Sequence, residues 1–302
     1  MTSRTRDVTA RIDRKVFGGT QEVANDSGPR RARHETVERL ISHLGRPLHT
    51  PSGRLSAEPA HRNDWTVGDA PDIEGLDDPQ RRTLARCWLR DGLAEHAAVA
   101  SFARFTVQLL ALGAPPQLVR ASQRASLDLV RHAEICFGLA SHYRGRALGP
   151  GQLDAIAAFE GATKPRAAVM TAVREGCVGD TISAMAATVA AEHCTDPVVA
   201  KVLRRIAVDD TRHAGMAWRF VRWALSQPEL GPLETAVDEA FQAALGDHPM
   251  VDEQAAPEWM RVRGRLSDAE RAYLAASTLR EVIVPCVDRL LDAHDDVGAI
   301  DG

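Results

Sequence analysis

From Pro79 onward the apolar positions recur at helical spacing, broken only by clusters of glycine, proline and aspartate. Long runs rich in alanine, leucine and arginine carry no helix breaker, which favours helix over strand. Breaks at Gly113–Pro116, Gly145–Gly151, Gly161–Pro165, Asp196–Pro197, Pro228–Pro232 and Asp247–Pro257 divide this stretch. The predicted helices are therefore 80–112, 117–145, 166–194, 198–226, 233–246 and 267–295. At about 1.5 Å per residue the first four would build a bundle roughly 40 Å tall, with the last two packed outside it. Residues 1 to 80 read differently, being rich in Arg, Gly, Pro, Ser and His, with one short helical pattern over Glu35–Leu44. Such a segment buries little by itself, so it is either a disordered tail or an arm laid over the bundle through Trp65. The expectation is an all-α chain in three parts: an irregular N-terminal arm (1–80), a four-helix bundle (81–226) and C-terminal helices packing on it (227–302).

The feature that carries chemistry is an internal repeat. D-x-x-R-H-A stands at Asp128–Ala133 in the second helix, and D-D-x-R-H-A at Asp209–Ala214 in the fourth, 81 residues on. Glu95 and Glu175, in the first and third helices, are 80 residues apart. Two helical hairpins thus repeat one arrangement, a glutamate followed 37 or 38 residues later by a histidine, His132 or His213. Asp210 and His213 are three residues apart, so they project from one helix face and can serve one metal site. Oxygen and imidazole donors suit iron or manganese. Carboxylates turned into a bundle must be paired or metal-bound, because burying an isolated one costs several kcal/mol.

In these motifs the chain resembles the ferritin-like di-iron carboxylate superfamily, and in particular its oxygenase branch, whose motif is D-E-x-R-H on two helices. The resemblance spans residues 84–226 and implies a ferritin-like four-helix bundle. Carried over, it makes Glu95 and Glu175 terminal carboxylates, His132 and His213 imidazole ligands, and Asp210 a bridging carboxylate. Asp128 and Asp209 would then accept a histidine N–H and fix the tautomer of the ring. It further implies two iron ions or an Fe/Mn pair, O2 as co-substrate, a small-molecule substrate and a redox partner, and it leaves a homodimer open. It assigns no catalytic residue beyond the ligands. One departure stands out: where the family has a bridging glutamate, this chain has Leu129. Glu95, Glu175 and Asp210 then return three negative charges to the four positive charges of two divalent ions. A single well-held ion near Glu175, Asp210 and His213 is the alternative occupancy. The activity implied is that of an O2-dependent oxygenase or oxidase. The alternative is a metal-binding or metal-silent module that handles iron or recruits a partner.

Composition narrows the remaining classes. Lysine occurs only at Lys15, Lys164 and Lys201, and arginines are dispersed among acids to a net charge of −4, which is not the basic stripe of a nucleic-acid binder. The five cysteines are odd in number, form no CxxC pair and fall inside predicted helices, as reduced thiols do. No apolar run approaches the roughly 20 residues of a membrane span, and the polar first residues have no secretory core. A cytoplasmic protein with no membrane or nucleic-acid partner is the expectation.

Overall fold

The computed structural model describes residues 48–50, 53–246 and 255–298, and the protein is all-α over them apart from four short strands, three before the first long helix and one between the second and third. The short pattern over Glu35–Leu44 lies outside the described residues. Four long helices carry the core: α1 (Asp78–Ala111), α2 (Pro116–Arg144), α3 (165–193) and α4 (Pro197–Leu225). Each begins within two residues of its predicted start, because the punctuation is strong. Asp77 caps α1 in a reciprocal box with Gln80, its Oδ1 accepting the Gln80 N–H at 2.7 Å. Gly145 ends α2 in the left-handed conformation at φ 73°, and Asp196 caps α4 by accepting two backbone N–H groups.

Helix α1 packs along α2, α3 along α4, and α2 crosses α4. Phe102, Phe105, Leu129, Val173, Ile182 and Phe220 from all four meet in one apolar cluster. Three further helices follow: α5 (Glu234–Gly246), the single turn α6 (Glu258–Arg261) and α7 (268–298). Val237 and Phe241 of α5 and Leu279 and Ile283 of α7 join that cluster, so these helices close the core rather than merely decorate it.

Helix α3 is not uniform. It is α-helical over Pro165–Thr171, π-helical over Ala172–Asp180, and α-helical again over Thr181–His193. A π segment bonds i to i+5, so residues five apart come to share a face that an α-helix would separate by about 140°. Glu175 and Asp180 stand in that relation.

The arm is described over residues 48–50 and 53–77, where it lies against the helices. Strands β1 (Leu48–Thr50) and β2 (Gly53–Leu55) form a hairpin, and β3 (Pro59–Ala60) pairs antiparallel with β4 (Gly149–Pro150) in the α2–α3 connection. Trp65 meets His96 and Phe137 edge-on, and the Val67 N–H donates to the Glu134 carbonyl. This approach requires glycine at one position, since a Cβ on Gly138 would lie 2.1 Å from the Val67 carbonyl oxygen. Gly138→Ala should therefore lift the arm and cost about 1–3 kcal/mol, seen as a lower melting temperature and faster proteolysis between residues 60 and 77. Gly215→Ala on α4, where a Cβ meets only the Arg219 guanidinium at 3.6 Å, should instead stabilise by about 0.5–1 kcal/mol.

Candidate metal centre

The repeated motifs come together where α2 crosses α4. His132 is fully buried and its Nε2 lies 2.9 Å from Asp209 Oδ2 on α4. His213 does the reverse: its Nε2 lies 3.2 Å from Asp128 Oδ2 on α2. Each histidine is thus held by the aspartate four residues before the other one, and the two rings stand 6.4 Å apart. The second ring nitrogens face different acids. His132 Nδ1 is 3.6 Å from Glu95 Oε2 and has no hydrogen-bond partner, while His213 Nδ1 is 3.5 Å from Asp210 Oδ1. Ser183 donates to the other oxygen of Asp210 at 2.6 Å. Arg212 donates to Asp209 and lies 3.4 Å from Asp128, so one guanidinium serves both anchoring carboxylates.

These contacts set the charges. Burial alone would lower the His132 pKa, but the bond to Asp209 and the proximity of Glu95 raise it to about 10. His213 follows the same balance, burial against Asp128 and Asp210, and ends at about 9. Burial pushes the Glu95 carboxyl above its usual range, with His132 opposing it. Asp209, despite partial burial, is held at about 2 by His132 and Arg212.

Glu95 and Asp210 line a cavity of about 110 Å³ among the four long helices, together with Asp180, Ser183 and Cys136. Leu129 forms an apolar part of its wall, at the position where the family pattern has an acid. Glu175 is engaged elsewhere. Its Oε2 accepts from Ser101 and its Oε1 from the buried Arg104, both at 2.6 Å, so its charge is already matched by a guanidinium. The structure therefore brings Glu95, His132, Asp210, His213, Asp128 and Asp209 together and gives Glu175 to Arg104.

Asp180 is the carboxylate that sequence periodicity misses. It belongs to no motif, and it lines the cavity from the end of the π segment while Glu175, five residues earlier, does not. Among the described residues no three His, Cys, Asp or Glu side chains stand close enough to enclose an ion in their present rotamers. None of the five cysteines is in a disulfide. Among the described residues no helix is long and apolar enough to cross a membrane. No family model, curated protein or solved structure matches this chain.

The raised histidines make a pH prediction for chelator-treated protein. Their folded pKa values, about 10 and about 9, exceed the unfolded value of 6.5. Their stabilisation is then fully present below about pH 6.5 and is lost as the pH rises through 9 to 10. Thermal unfolding at steps between pH 6 and 10 should show this decline, and His132→Gln should flatten its upper part.

Proposed function

We propose that the chain is a ferritin-like four-helix bundle that holds two iron ions, or iron and manganese, and uses O2 to oxidise or hydroxylate a small molecule. The observation carrying this reading is the reciprocal anchoring of His132 by Asp209 and His213 by Asp128. A histidine ligand needs one nitrogen oriented by a carboxylate and the other available to a cation. His132 has that form, with a buried Nδ1 that bonds nothing and faces Glu95. His213 has nearly the same form toward Asp210. The donors are imidazole and carboxylate, which suits iron and manganese.

Glu95 and His132 would hold one ion, and Asp210 and His213 the other, with Asp180 on the same cavity wall. Ions bound there would supply the one-electron chemistry that O2 requires. The chain's own residues do the rest. Asp209 and Asp128 fix the rings, Ser183 orients Asp210, and the walls around Leu129 exclude water from a space open to a small substrate. A second reading is favoured by Arg104, which already neutralises Glu175, and by the missing acid at Leu129. On that reading the bundle is metal-silent and recruits a partner.

Metal analysis separates the two. Protein expressed with iron or manganese should retain about one to two ions per chain and take up O2 when reduced. Fewer than about 0.2 ions per chain, with no O2 uptake, would leave only the metal-silent reading. His132→Ala and His213→Ala should each remove at least about half of the bound metal. Glu175→Ala should spare the metal and cost about 3–5 kcal/mol of stability, because the buried Arg104 would lose its carboxylate partner. Leu129→Glu should raise metal occupancy by returning the absent carboxylate.

A further inference from the structure

The internal repeat reaches beyond the buried site to the surface. R-x-x-x-R-x-x-L-D-x-x-R-H over 120–132 and K-x-x-x-R-x-x-V-D-x-x-R-H over 201–213 keep the 81-residue offset, so cations and an aliphatic residue recur together with the aspartates and histidines. Helices α2 and α4 carry ten lysines and arginines against four acids, an excess of six positive charges in a chain of net charge −4. All ten cations are exposed, whereas Asp128, Glu134, Asp209 and Asp210 are buried or half-buried. Each of these acids is held, by His213, Arg131, His132 and Ser183 respectively. Arginines are dispersed among acids along the sequence, but not on this surface. Arg131, Arg205 and Arg212 reach Glu134, Asp209 and Asp128, while Arg120, Arg124, Lys201 and Arg219 form no ion pair with a described residue.

Because His132 meets Asp209 and His213 meets Asp128, the two motifs run in opposite directions across the seam between α2 and α4. Two hollows lie along this seam. One, of about 400 Å³, is lined by Arg124, Arg212 and Arg219, with Asp128 as its one acid. The other, of about 350 Å³, is lined by Arg131, Lys201 and Arg205, with Asp69 of the arm as its one acid. Leu127 is one turn from Arg124 and one from Arg131, and Val208 one turn from Arg205 and one from Arg212, so each stands between the two hollows. They are 71% and 61% exposed. A single exposed aliphatic residue is ordinary. Two at the same place in a repeat, each flanked by cations, give a surface with an apolar centre and a charged rim, which is the anatomy of a protein interface.

We infer that the outer seam of α2 and α4 docks an acidic protein, its carboxylates entering the two basic hollows and its apolar side chains covering Leu127 and Val208. Other occupants fit less well. A two-fold contact with a second copy would set the cations of one face against those of the other. Residues 1–47 carry ten lysines and arginines against six acids, so they do not complement the face. Nucleic-acid phosphates would match the arginines but give nothing to the two aliphatic side chains. A membrane surface is met by a broad apolar face with aromatic residues, and this seam has neither. Docking needs no metal, so it goes beyond the proposed function and does not rest on it.

The test is fluorescence anisotropy on the full chain, with a labelled helical peptide of about 20 residues that sets glutamates around a row of leucines, and a counterpart with glutamine for every glutamate. The acidic peptide should bind saturably, about tenfold or more tighter than the glutamine peptide, and should weaken about tenfold between roughly 0.05 and 0.5 M salt. Arg124→Glu with Lys201→Glu, one cation from each hollow, should weaken it at least about tenfold. Leu127→Ser with Val208→Ser should weaken it about threefold or more. Arg82→Glu with Arg86→Glu, the same change of charge at exposed positions of α1, should alter it less than about twofold. Equal affinity for the two peptides, no saturable binding, or full affinity in the folded Arg124→Glu/Lys201→Glu chain would each overturn the assignment. Tighter binding of a DNA duplex of about 20 base pairs, or of phosphatidylcholine vesicles with about 30% phosphatidylserine, would overturn it in favour of that polyanion. Self-association of the wild-type chain that Arg124→Glu/Lys201→Glu abolishes would overturn it in favour of a second copy. The two peptides, the duplex and the vesicles are compared on the wild-type chain, so the question is decided even where a variant does not fold.

Discussion

The crossing of α2 and α4 is held by a reciprocal exchange, in which each helix gives an aspartate to the other's histidine. Neither histidine would be tolerated at this depth without its carboxylate partner. A buried imidazole with one unmet nitrogen, or a buried carboxylate without a donor, costs several kcal/mol. The exchange meets both needs and fixes the register between the two helices, because a slip of one turn would part both pairs together. Arg212 ties the arrangement to the surface by reaching both aspartates. With the rings fixed in this way, Glu95 and Asp210 are turned toward one cavity, and the remainder of the site is arranged around them.

The helices and the residues of this exchange are legible in the sequence for a common reason: both follow from local spacing. Caps such as Asp77 and Asp196, and the end at Gly145, are read within a few residues, so the helix limits agree closely. The D-x-x-R-H repeat marks the right four residues because Asp128 and His132, like Asp209 and His213, lie one α-helical turn apart. What spacing does not convey is that each aspartate serves the opposite histidine. That depends on the crossing of helices 77 and 85 residues apart in sequence.

The third helix is less legible for an equally physical reason. An offset of 80 residues makes Glu175 the partner of Glu95 only where both hairpins are α-helical throughout. The π segment over Ala172–Asp180 breaks that condition: Asp180 reaches the cavity, and Glu175 lies against Ser101 and Arg104 of α1. Arg104 and Ser101 belong to no motif, so nothing in the sequence separates a ligand from one half of a buried ion pair. The packing of the arm and of Arg265 is hidden likewise. Val67 against Gly138, and Arg265 over Trp88, join segments whose composition is ordinary and whose proximity is tertiary.

Leu129 bears on the cavity in two ways. Counted as a missing acid, it leaves Glu95, Asp210 and Asp180 to face whatever positive charge the interior holds, with Glu175 removed from the sum by Arg104. Without metal that charge resides on His132 and His213, whose raised pKa values keep protons on the rings near neutral pH. Counted as an apolar side chain, the same residue extends an aliphatic wall shared with Ala98, Ala187, Leu203 and Ile206. A glutamate at this position would add a charge facing the ions and interrupt that wall with a group needing water or a cation. Under the proposed function the two effects are inseparable: one substitution weakens the grip on metal and smooths the wall of the space open to a small substrate.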